Sequence, residues 1–312
     1  MLLGIDIGGT KCAVISARND GTILDRVAFP TADCTATLDR ICREAGRFGP
    51  ADAVGVSCGG PLDESRGLIL SPPNLIGWDE VPVTDILSGK LGCPAALCND
   101  ANACALAEWS YGAGRGTRNM IFLTFGTGLG AGLILDGRLY SGTNGNAGEA
   151  GHIRLSELGP VGYGKAGSFE GFCSGGGIRQ TAQTLALECL QSGRTCGFCR
   201  TSGDLEKITA RSVAEAAKAG DETAIEVYRR VGEKLGAGLS ILIDLLNPER
   251  IVLGSIFERS GELMRESMEE VIRRETLPSA RAVCRVVPAE LGDRIGDFAA
   301  VAVAAGLIRK EG

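Results

Sequence analysis

The sequence predicts an α/β protein of two domains, and three observations lead to that fold class. The chain has 312 residues, which is long for a single hydrophobic core and suits two. Short apolar segments of strand length alternate with longer amphipathic or alanine-rich segments, an alternation typical of mixed sheets covered by helices. Both halves also open with a predicted β-hairpin around a glycine- and threonine-containing turn, at residues 8–10 and 126–128. This similarity indicates a faint internal duplication.

The first half is predicted to contain five strands and two helices. Asn19-Asp20-Gly21 is a strong hairpin signal between two strand-like segments. Asp33 suits the N-cap of a helix, and Asp100 opens an alanine-rich helix after a short strand. The predicted elements are strands at 2–7, 11–17, 22–29, 52–58 and 95–98, and helices at 33–46 and 100–111.

Three glycines between residues 112 and 116 predict a hinge before the second half. The last alanine-rich helix is expected to pack back onto the first half. The predicted domains are therefore 1–114 plus 291–312, and 115–290. The elements predicted for the remaining chain are strands at 119–125, 129–135, 251–253 and 281–287, and helices at 170–191, 211–218, 222–246, 262–275 and 293–308.

The composition is that of an ordinary globular protein, with 44% hydrophobic and 22% charged residues. Lysine and arginine number 32 and the acidic residues 38, so the net charge is −6. A mildly acidic chain with scattered basic residues is a poor candidate for binding nucleic acid. We see no signal peptide and no apolar run of membrane-spanning length, so a cytoplasmic protein that contacts no membrane is expected.

Twelve cysteines are many for an intracellular enzyme. Most stand singly in apolar stretches, where they resemble small buried hydrophobic residues. One group differs, because Cys196 and Cys199 form a CxxC pair with Cys189 and Cys173 upstream. A structural zinc site needs four suitably placed ligands, and the only histidine, His152, is distant in sequence. We interpret the pair as thiols in a loop, with a metal site as the alternative.

Two glycine turns are candidates for binding phosphate. In the first, Asp6 precedes Gly8-Gly9-Thr10-Lys11 between two strands, and Gly126-Thr127-Gly128 forms a similar turn in the second half. Successive backbone N–H groups in such turns bind anions, and Asp6 suits hydrated Mg²⁺. The alternative is a pair of ordinary hairpins. No GxxxxGK[ST] motif occurs, and the first turn leads into a strand, unlike a dinucleotide fingerprint.

A second group of polar residues suits a sugar. Asn99 and Asp100 end a strand and begin a helix, whose N-terminus stabilises a carboxylate. Asp100 could also be a simple helix cap. Glu149, His152 and Glu170 follow in glycine-rich segments. Carboxylates, an amide and an imidazole are groups that fix several sugar hydroxyls.

These motifs together resemble the ROK family (repressors, open reading frames and sugar kinases), in order and over nearly the whole chain. The matching stretches are Asp6–Lys11, Gly59–Asp63, Pro73–Trp78, Asn99–Ala103, Gly126–Gly132, Ala147–His152, Ala216–Asp221 and Asn247–Gly254.

The resemblance implies an actin-like ATPase (ribonuclease H-like) fold, with two lobes and ATP and Mg²⁺ in the cleft between them. It makes Asp100 the catalytic base toward a sugar hydroxyl, expected at C6, and gives Asp6 to Mg²⁺ through water. The implied sugar contacts are Gly60, Asn74, Asn99, Asp100, Glu149, His152 and Glu170. The implied nucleotide contacts are Asp6, Gly8, Gly9, Thr10, Lys11, Gly126, Thr127, Gly128 and Gly254.

The sequence departs from the family pattern at three places, one of which is the cysteine-rich segment 191–203, which matches nothing in the family pattern and is interpreted as a surface loop insertion. Many members carry a zinc site, made by the histidine of the Gly-His motif and a Cys-x-Cys-Gly-x-x-Gly-Cys segment. Here the aligned segment, Val161–Ser168, has no cysteine, so no zinc site is expected. Ser255 follows Gly254 where many relatives have a second glycine, and nucleotide binding is expected to survive that change.

Three functions compete. The leading one is an ATP-dependent kinase of a hexose or N-acetylhexosamine. A catalytically inactive sugar-binding regulator is the alternative, although the helix-turn-helix of the family's repressors does not precede the first strand here. An actin-like ATPase of another kind is disfavoured by Glu149, His152 and Glu170. The sequence leaves the identity of the sugar open, and a homodimer is implied only by analogy.

Overall fold

A computed structural model describes residues 1–309 of the chain. They group into two compact units. The first contains residues 1–118, 132–147 and those from 290 onward, and the second contains residues 119–131 and 148–289. Relative to the boundaries predicted from the sequence, residues 132–147 group with the first unit.

Outside the stretch 132–147, the described part of the first unit contains eight strands and four helices. Its elements are β1 (Leu2–Ile7), β2 (Lys11–Ala17), β3 (Ile23–Pro30), α1 (Cys34–Arg47), β4 (Ala53–Cys58), β5 (Leu62–Asp63), β6 (Leu68–Ile69), β7 (Val81–Pro82), α2 (Val83–Leu91), β8 (Ala95–Asn99), α3 (Asp100–Tyr111) and, at the end of the described chain, α11 (Ile295–Arg309).

The remaining elements belong to the second unit, except that β10 continues into the stretch 132–147, which also holds β11. They are β9 (Met120–Phe125), β10 (Leu129–Leu135), β11 (Arg138–Leu139), β12 (Val161–Gly162), β13 (Lys165–Ala166), α4 (Phe169–Phe172), α5 (Gly175–Gln191), α6 (Ala210–Lys218), α7 (Glu222–Leu246), β14 (Arg250–Leu253), α8 (Ile256–Ser260), α9 (Arg265–Glu275), α10 (Pro278–Val283) and β15 (Arg285–Pro288).

Two five-stranded sheets form the framework, in the orders β3-β2-β1-β4-β8 and β11-β10-β9-β14-β15. In the first, β1 is antiparallel to β2 but parallel to β4, and β4 is parallel to β8. In the second, β14 is parallel to both β9 and β15. The predicted α/β fold with mixed sheets is therefore confirmed.

The first sheet packs closely against α11. An ideal Cβ placed on Gly55 of β4 would lie 2.2 Å from the Ala300 carbonyl oxygen, and one on Gly4 of β1 would lie 3.0 Å from the Ala300 Cβ. Only glycine permits this approach, so two strands and the alanine-rich helix are matched in shape. The candidate site lies beyond the carboxyl ends of the strands in this sheet.

Two elements differ from the sequence prediction. The predicted helix at 170–191 is two helices, because Ser174 accepts the Gly177 N–H at 3.0 Å and thus caps a new helix, α5. The predicted strand at 281–287 is wrong in its first part, because α10 occupies residues 278–283 and the strand β15 begins at Arg285. Pro278 at the first helical turn favours this helix start. No helix among residues 1–309 is long and apolar enough to cross a bilayer.

Candidate active site

The carboxyl ends of β1, β4 and β8 meet at one edge of the first sheet, because the three strands are neighbouring and parallel. The segments that follow them line a cavity of about 190 Å³. Its lining residues are Asp6, Ile7, Gly8, Gly9, Cys58, Gly59, Gly60, Pro72, Pro73, Asn74, Leu75 and Asp100. Topology thus brings the two predicted aspartates together with the first glycine turn.

The glycine turn after β1 is in close contact with the proline-containing loop. An ideal Cβ on Gly9 would lie 2.6 Å from the Asn74 carbonyl oxygen, so a side chain here would clash with backbone. The Gly8 N–H is already used, since it donates to the Lys11 carbonyl at 3.1 Å. Thr10 and Lys11 are exposed beyond the cavity lining.

Asp100 stands at the head of α3, with one carboxylate oxygen fixed. The Ala101 N–H donates to Asp100 Oδ1 at 2.8 Å and to Asn99 Oδ1 at 3.0 Å, so the two side chains share one donor. Asp100 is exposed as a residue, but partial desolvation of its carboxylate raises its pKa, and the Ala101 hydrogen bond partly opposes this effect. The other carboxylate oxygen of Asp100, Oδ2, lies 3.9 Å from the position that a Cβ on Gly59 would occupy. Because Gly59 has no side chain, there is space beside this oxygen.

Two supporting contacts were not predicted from the sequence. Glu64 accepts the Asn99 backbone N–H at 2.7 Å and thereby holds the end of β8. Arg26 donates through Nε to both oxygens of Asp297, at 2.8 and 2.9 Å. Asp297 in turn is one of the charges that act on Asp6.

Asp6 is a perturbed acid. Burial, followed by the charges of Asp297 and Asp100, raises its pKa from 3.8 to about 6, against smaller opposing effects of Lys11 and Arg26. A carboxylate with this pKa is mostly ionised at neutral pH. A carboxylate is a suitable ligand for a hydrated divalent cation. The positive charge of such a cation would stabilise the ionised form of Asp6, which burial disfavours.

Replacing Asp6 by Asn is expected to remove a pH-dependent part of the stability. Between pH 3.8 and about 6 the folded chain binds more protons at Asp6 than the unfolded chain does, so this group's contribution to the free energy of unfolding rises as the pH falls through that window. The difference is at most about 3 kcal/mol. Urea unfolding of both proteins should be measured at neutral pH and near pH 4. On going to pH 4, the free energy of unfolding of the wild type should rise relative to that of the variant. Parallel pH dependences would contradict the assignment.

The second unit holds the other glycine turn beside a glycine-rich helix start. The Gly126 N–H donates to the Gly128 carbonyl at 3.1 Å, which closes the turn, and the Gly175 N–H donates to the Gly126 carbonyl at 2.8 Å. Gly254 follows β14 next to this turn, because β9 and β14 are parallel neighbours. The triple glycine of the α5 N-terminus, Gly175-Gly176-Gly177, was not predicted as part of a site. A helix N-terminus favours an anion, although the Gly175 and Gly177 N–H groups already donate to Gly126 and Ser174.

Glu170 belongs to the same group of residues. It lies in α4, which Ser168 caps by accepting the Gly171 N–H at 3.0 Å. The Leu129 N–H donates to Glu170 Oε2 at 3.0 Å, and an ideal Cβ on Gly128 would lie 2.8 Å from that oxygen. The carboxylate is therefore tied directly to the end of the glycine turn.

Glu149 and His152 lie on a short 3-10 turn, and both are exposed. The His152 ring meets the Tyr163 ring edge-on, with centroids 5.4 Å apart, and the Lys165 Nζ donates to the His152 carbonyl at 2.5 Å. Tyr163 and Lys165 come from the β12–β13 hairpin, in the segment where relatives are expected to have cysteines. Among residues 1–309 no group of three or more His, Cys, Asp or Glu side chains is arranged to hold a metal ion.

A larger depression, of about 570 Å³, lies elsewhere in the second unit. Its lining comes mainly from α7 and α9 and includes the charged residues Arg154, Glu233, Lys234 and Arg274. It contains none of the predicted site residues. Volume alone is therefore a poor guide here, and the two carboxylates beside the first glycine turn identify the candidate site better.

Comparison with known proteins identifies the family. The ROK family model matches residues 2–306. A glucokinase from Streptomyces coelicolor is 32% identical over 302 residues, which cover 95% of each chain. A xylose repressor from Caldicellulosiruptor bescii is 30% identical over 242 residues, which cover 77% of this chain and 59% of the repressor.

A solved structure agrees with the sequence matches. The crystal structure of a ROK family glucokinase from Streptomyces griseus, in complex with glucose and AMPPNP, superposes with a TM-score of 0.75. It is 31% identical, and the match covers 98% of this chain and 99% of that one. The two sheets and their helices are consistent with the actin-like ATPase fold implied by the motifs, so that fold class is confirmed. The chain belongs to the ROK family.

Proposed function

We propose that this chain is a kinase that transfers the terminal phosphoryl group of ATP to the O6 hydroxyl of a hexose or N-acetylhexosamine. The observation that carries the proposal is Asp100, a carboxylate with one oxygen fixed by a backbone N–H, which lines a cavity with Asp6 and a glycine turn. The glucokinase relatives, similar over nearly the whole chain, support the enzyme class.

Asp100 acts as the general base in this proposal. Phosphoryl transfer depends mainly on positioning and charge stabilisation, and a base within hydrogen-bond reach of the attacking hydroxyl removes its proton. The raised pKa of Asp100 makes the carboxylate a better proton acceptor than a fully solvated aspartate. Asn99, Asn74 and Gly60 supply further contacts to the sugar.

The second unit supplies the remaining roles. Glu149, His152 and Glu170 accept or donate hydrogen bonds to sugar hydroxyls. The turn at 126–128, Gly254 and the N-terminus of α5 are proposed as nucleotide contacts of the second unit, and Gly8–Lys11 as those of the first. Asp6 would hold Mg²⁺ through water, and that ion would neutralise phosphate charge.

The direct test measures ATP turnover, as the rate of ADP release, with Mg²⁺ and each of a panel of hexoses and N-acetylhexosamines. Strong stimulation by one sugar is expected. The 6-deoxy analogue of that sugar should bind but give no phosphorylated product, which tests the position separately. Turnover that persists with the 6-deoxy analogue would contradict transfer to O6.

A second candidate is a sugar-binding regulator without catalysis, which the similarity to a xylose repressor favours. The two functions separate in the same experiment. Tight sugar binding by calorimetry without stimulated turnover for any sugar would replace the kinase with the regulator.

A further inference from the structure

The CxxC pair lies outside the candidate active site, between α5 and α6. Cys196 and Cys199 form an isolated antiparallel bridge, in which each backbone N–H donates to the carbonyl of the other at 3.1 Å. Residues paired in this way have Cα atoms about 5.5 Å apart. Disulfide-bonded cysteines have Cα atoms roughly 4.4–6.8 Å apart, most often near 5.5–6 Å. The Cα separation of the reduced hairpin is thus already one that a disulfide accepts, and closure needs the two Cβ atoms to move slightly closer together.

The two thiols are held within the hairpin itself. Cys196 Sγ donates to the Cys199 carbonyl at 3.5 Å, and Cys199 Sγ donates to the Thr201 carbonyl at 3.4 Å. Directly opposed residues of an antiparallel pair point to the same face, so both sulfurs lie on one side. The S–H donors are weak, and losing them costs little.

A metal site fits these residues less well. Cys189 is the nearest third thiol, but its Sγ contacts the Thr223 hydroxyl at 3.4 Å. Asp221 is also close, but its two oxygens accept the Gly197 N–H at 2.6 Å and the Ala224 N–H at 2.8 Å. As stated above for residues 1–309, no three such side chains converge for a metal. Two sulfurs alone do not make a zinc site.

We propose that Cys196 and Cys199 are a thiol oxidation site that closes to an internal disulfide on reaction with a low-molecular-weight disulfide such as glutathione disulfide. One thiolate attacks a glutathione sulfur and releases one glutathione thiolate. The second thiolate then attacks the protein sulfur of that mixed disulfide and releases the other glutathione. Two protein thiols are oxidised, and one glutathione disulfide is reduced to two thiols.

The surroundings set the rate and the consequence of closure. Burial, together with the charge of Asp221, raises the pKa of the Cys196 thiol to about 11, so the reaction is slow at neutral pH and faster in alkali. The Gly197 N–H bonds to Asp221, which is the N-cap of α7. Closure therefore locks the hairpin in the geometry that supports the start of the longest helix.

Peptide mapping tests the proposal on the full-length protein. Trypsin cleaves after Arg194 and Arg200, so residues 195–200 form one peptide that contains both cysteines and no other. The protein is equilibrated in glutathione buffers from fully reduced to fully oxidised, and is then alkylated and digested. In reducing buffer the peptide should be doubly alkylated. In oxidising buffer it should carry no alkyl group and have the mass of the internal disulfide, two hydrogen atoms less than the free dithiol. Half-buried single cysteines such as Cys34 should instead gain glutathione.

Three outcomes would overturn the proposal. In the first, the peptide stays doubly alkylated in the most oxidised buffer. In the second, it is cross-linked to the peptide that contains Cys189. In the third, the purified protein contains stoichiometric zinc, which a thiol reagent releases. The matched variant Cys196→Ser should lose the internal disulfide and carry glutathione on Cys199 instead. Because the wild-type mapping stands alone, it decides the matter even if the variant folds poorly.

Discussion

Replacing Asp100 by Asn is expected to lower kcat by about 10²- to 10⁴-fold, the usual contribution of a positioned general base. Asparagine has the same size and keeps an oxygen that can accept the Ala101 N–H, so the cavity should keep its shape. Its amide cannot accept the proton of the sugar hydroxyl. ADP release should therefore collapse, whereas calorimetry should show sugar binding within a few-fold of the wild type, since only the transition state loses an interaction.

The control for this variant is Asp85→Asn. Asp85 is also an exposed acidic residue in the first turn of a helix of the first unit, but it does not line the cavity. Its kcat should be unchanged. Because desolvation of the carboxylate raises the pKa of Asp100, the neutral Asn side chain should cost no stability, and a fall in turnover will not reflect unfolding. Unchanged turnover in Asp100→Asn would remove this residue from the role of base.

Replacing Glu170 by Gln is expected to raise the KM for the sugar by roughly 10- to 150-fold, because a hydrogen bond to a charged group contributes about 1.5–3 kcal/mol. The amide oxygen of Gln can still accept the Leu129 N–H, so the turn that precedes it should be kept. What is lost is the charged acceptor for a sugar hydroxyl. Steady-state kinetics with varied sugar at saturating ATP measures the effect.

ATP provides the internal comparison for Glu170→Gln. The KM for ATP should change little, since the change is directed at the sugar. Glu157→Gln, at an exposed position in the same unit, should change neither KM. An equal rise of both KM values in Glu170→Gln would instead indicate that Glu170 acts by holding the glycine turn through Leu129.

The sequence was most informative where a local signal is strong. The helix predicted at 222–246 is observed with the same bounds, because Asp221 caps it by accepting the Ala224 N–H at 2.8 Å. The first two strands also match their predicted bounds. Glycine turns after parallel strands are similarly visible, since glycine pairs and strand-length apolar runs are local patterns.

Contacts between distant parts of the chain could not be predicted. Arg26 and Asp297 are 271 residues apart, and Glu64 reaches the end of β8 from a loop 35 residues earlier. Neither pair leaves a pattern in the sequence. The roles given to Glu149, His152 and Glu170 depended on the family resemblance, because an exposed histidine or glutamate in a glycine-rich loop has no local signature of sugar binding.

The close packing of α11 on the first sheet also bears on how the protein matures during synthesis. Gly4 and Gly55 leave a smooth surface against which α11 packs, yet the ribosome makes α11 after all of residues 148–289. Until then β1 and β4 present an uncovered apolar face to the cell, the condition in which nascent chains aggregate or recruit chaperones. The second unit ends at residue 289, so all of its residues are made before α11. We therefore expect the second unit to complete its folding before the first, although the first strand of the chain belongs to the first unit.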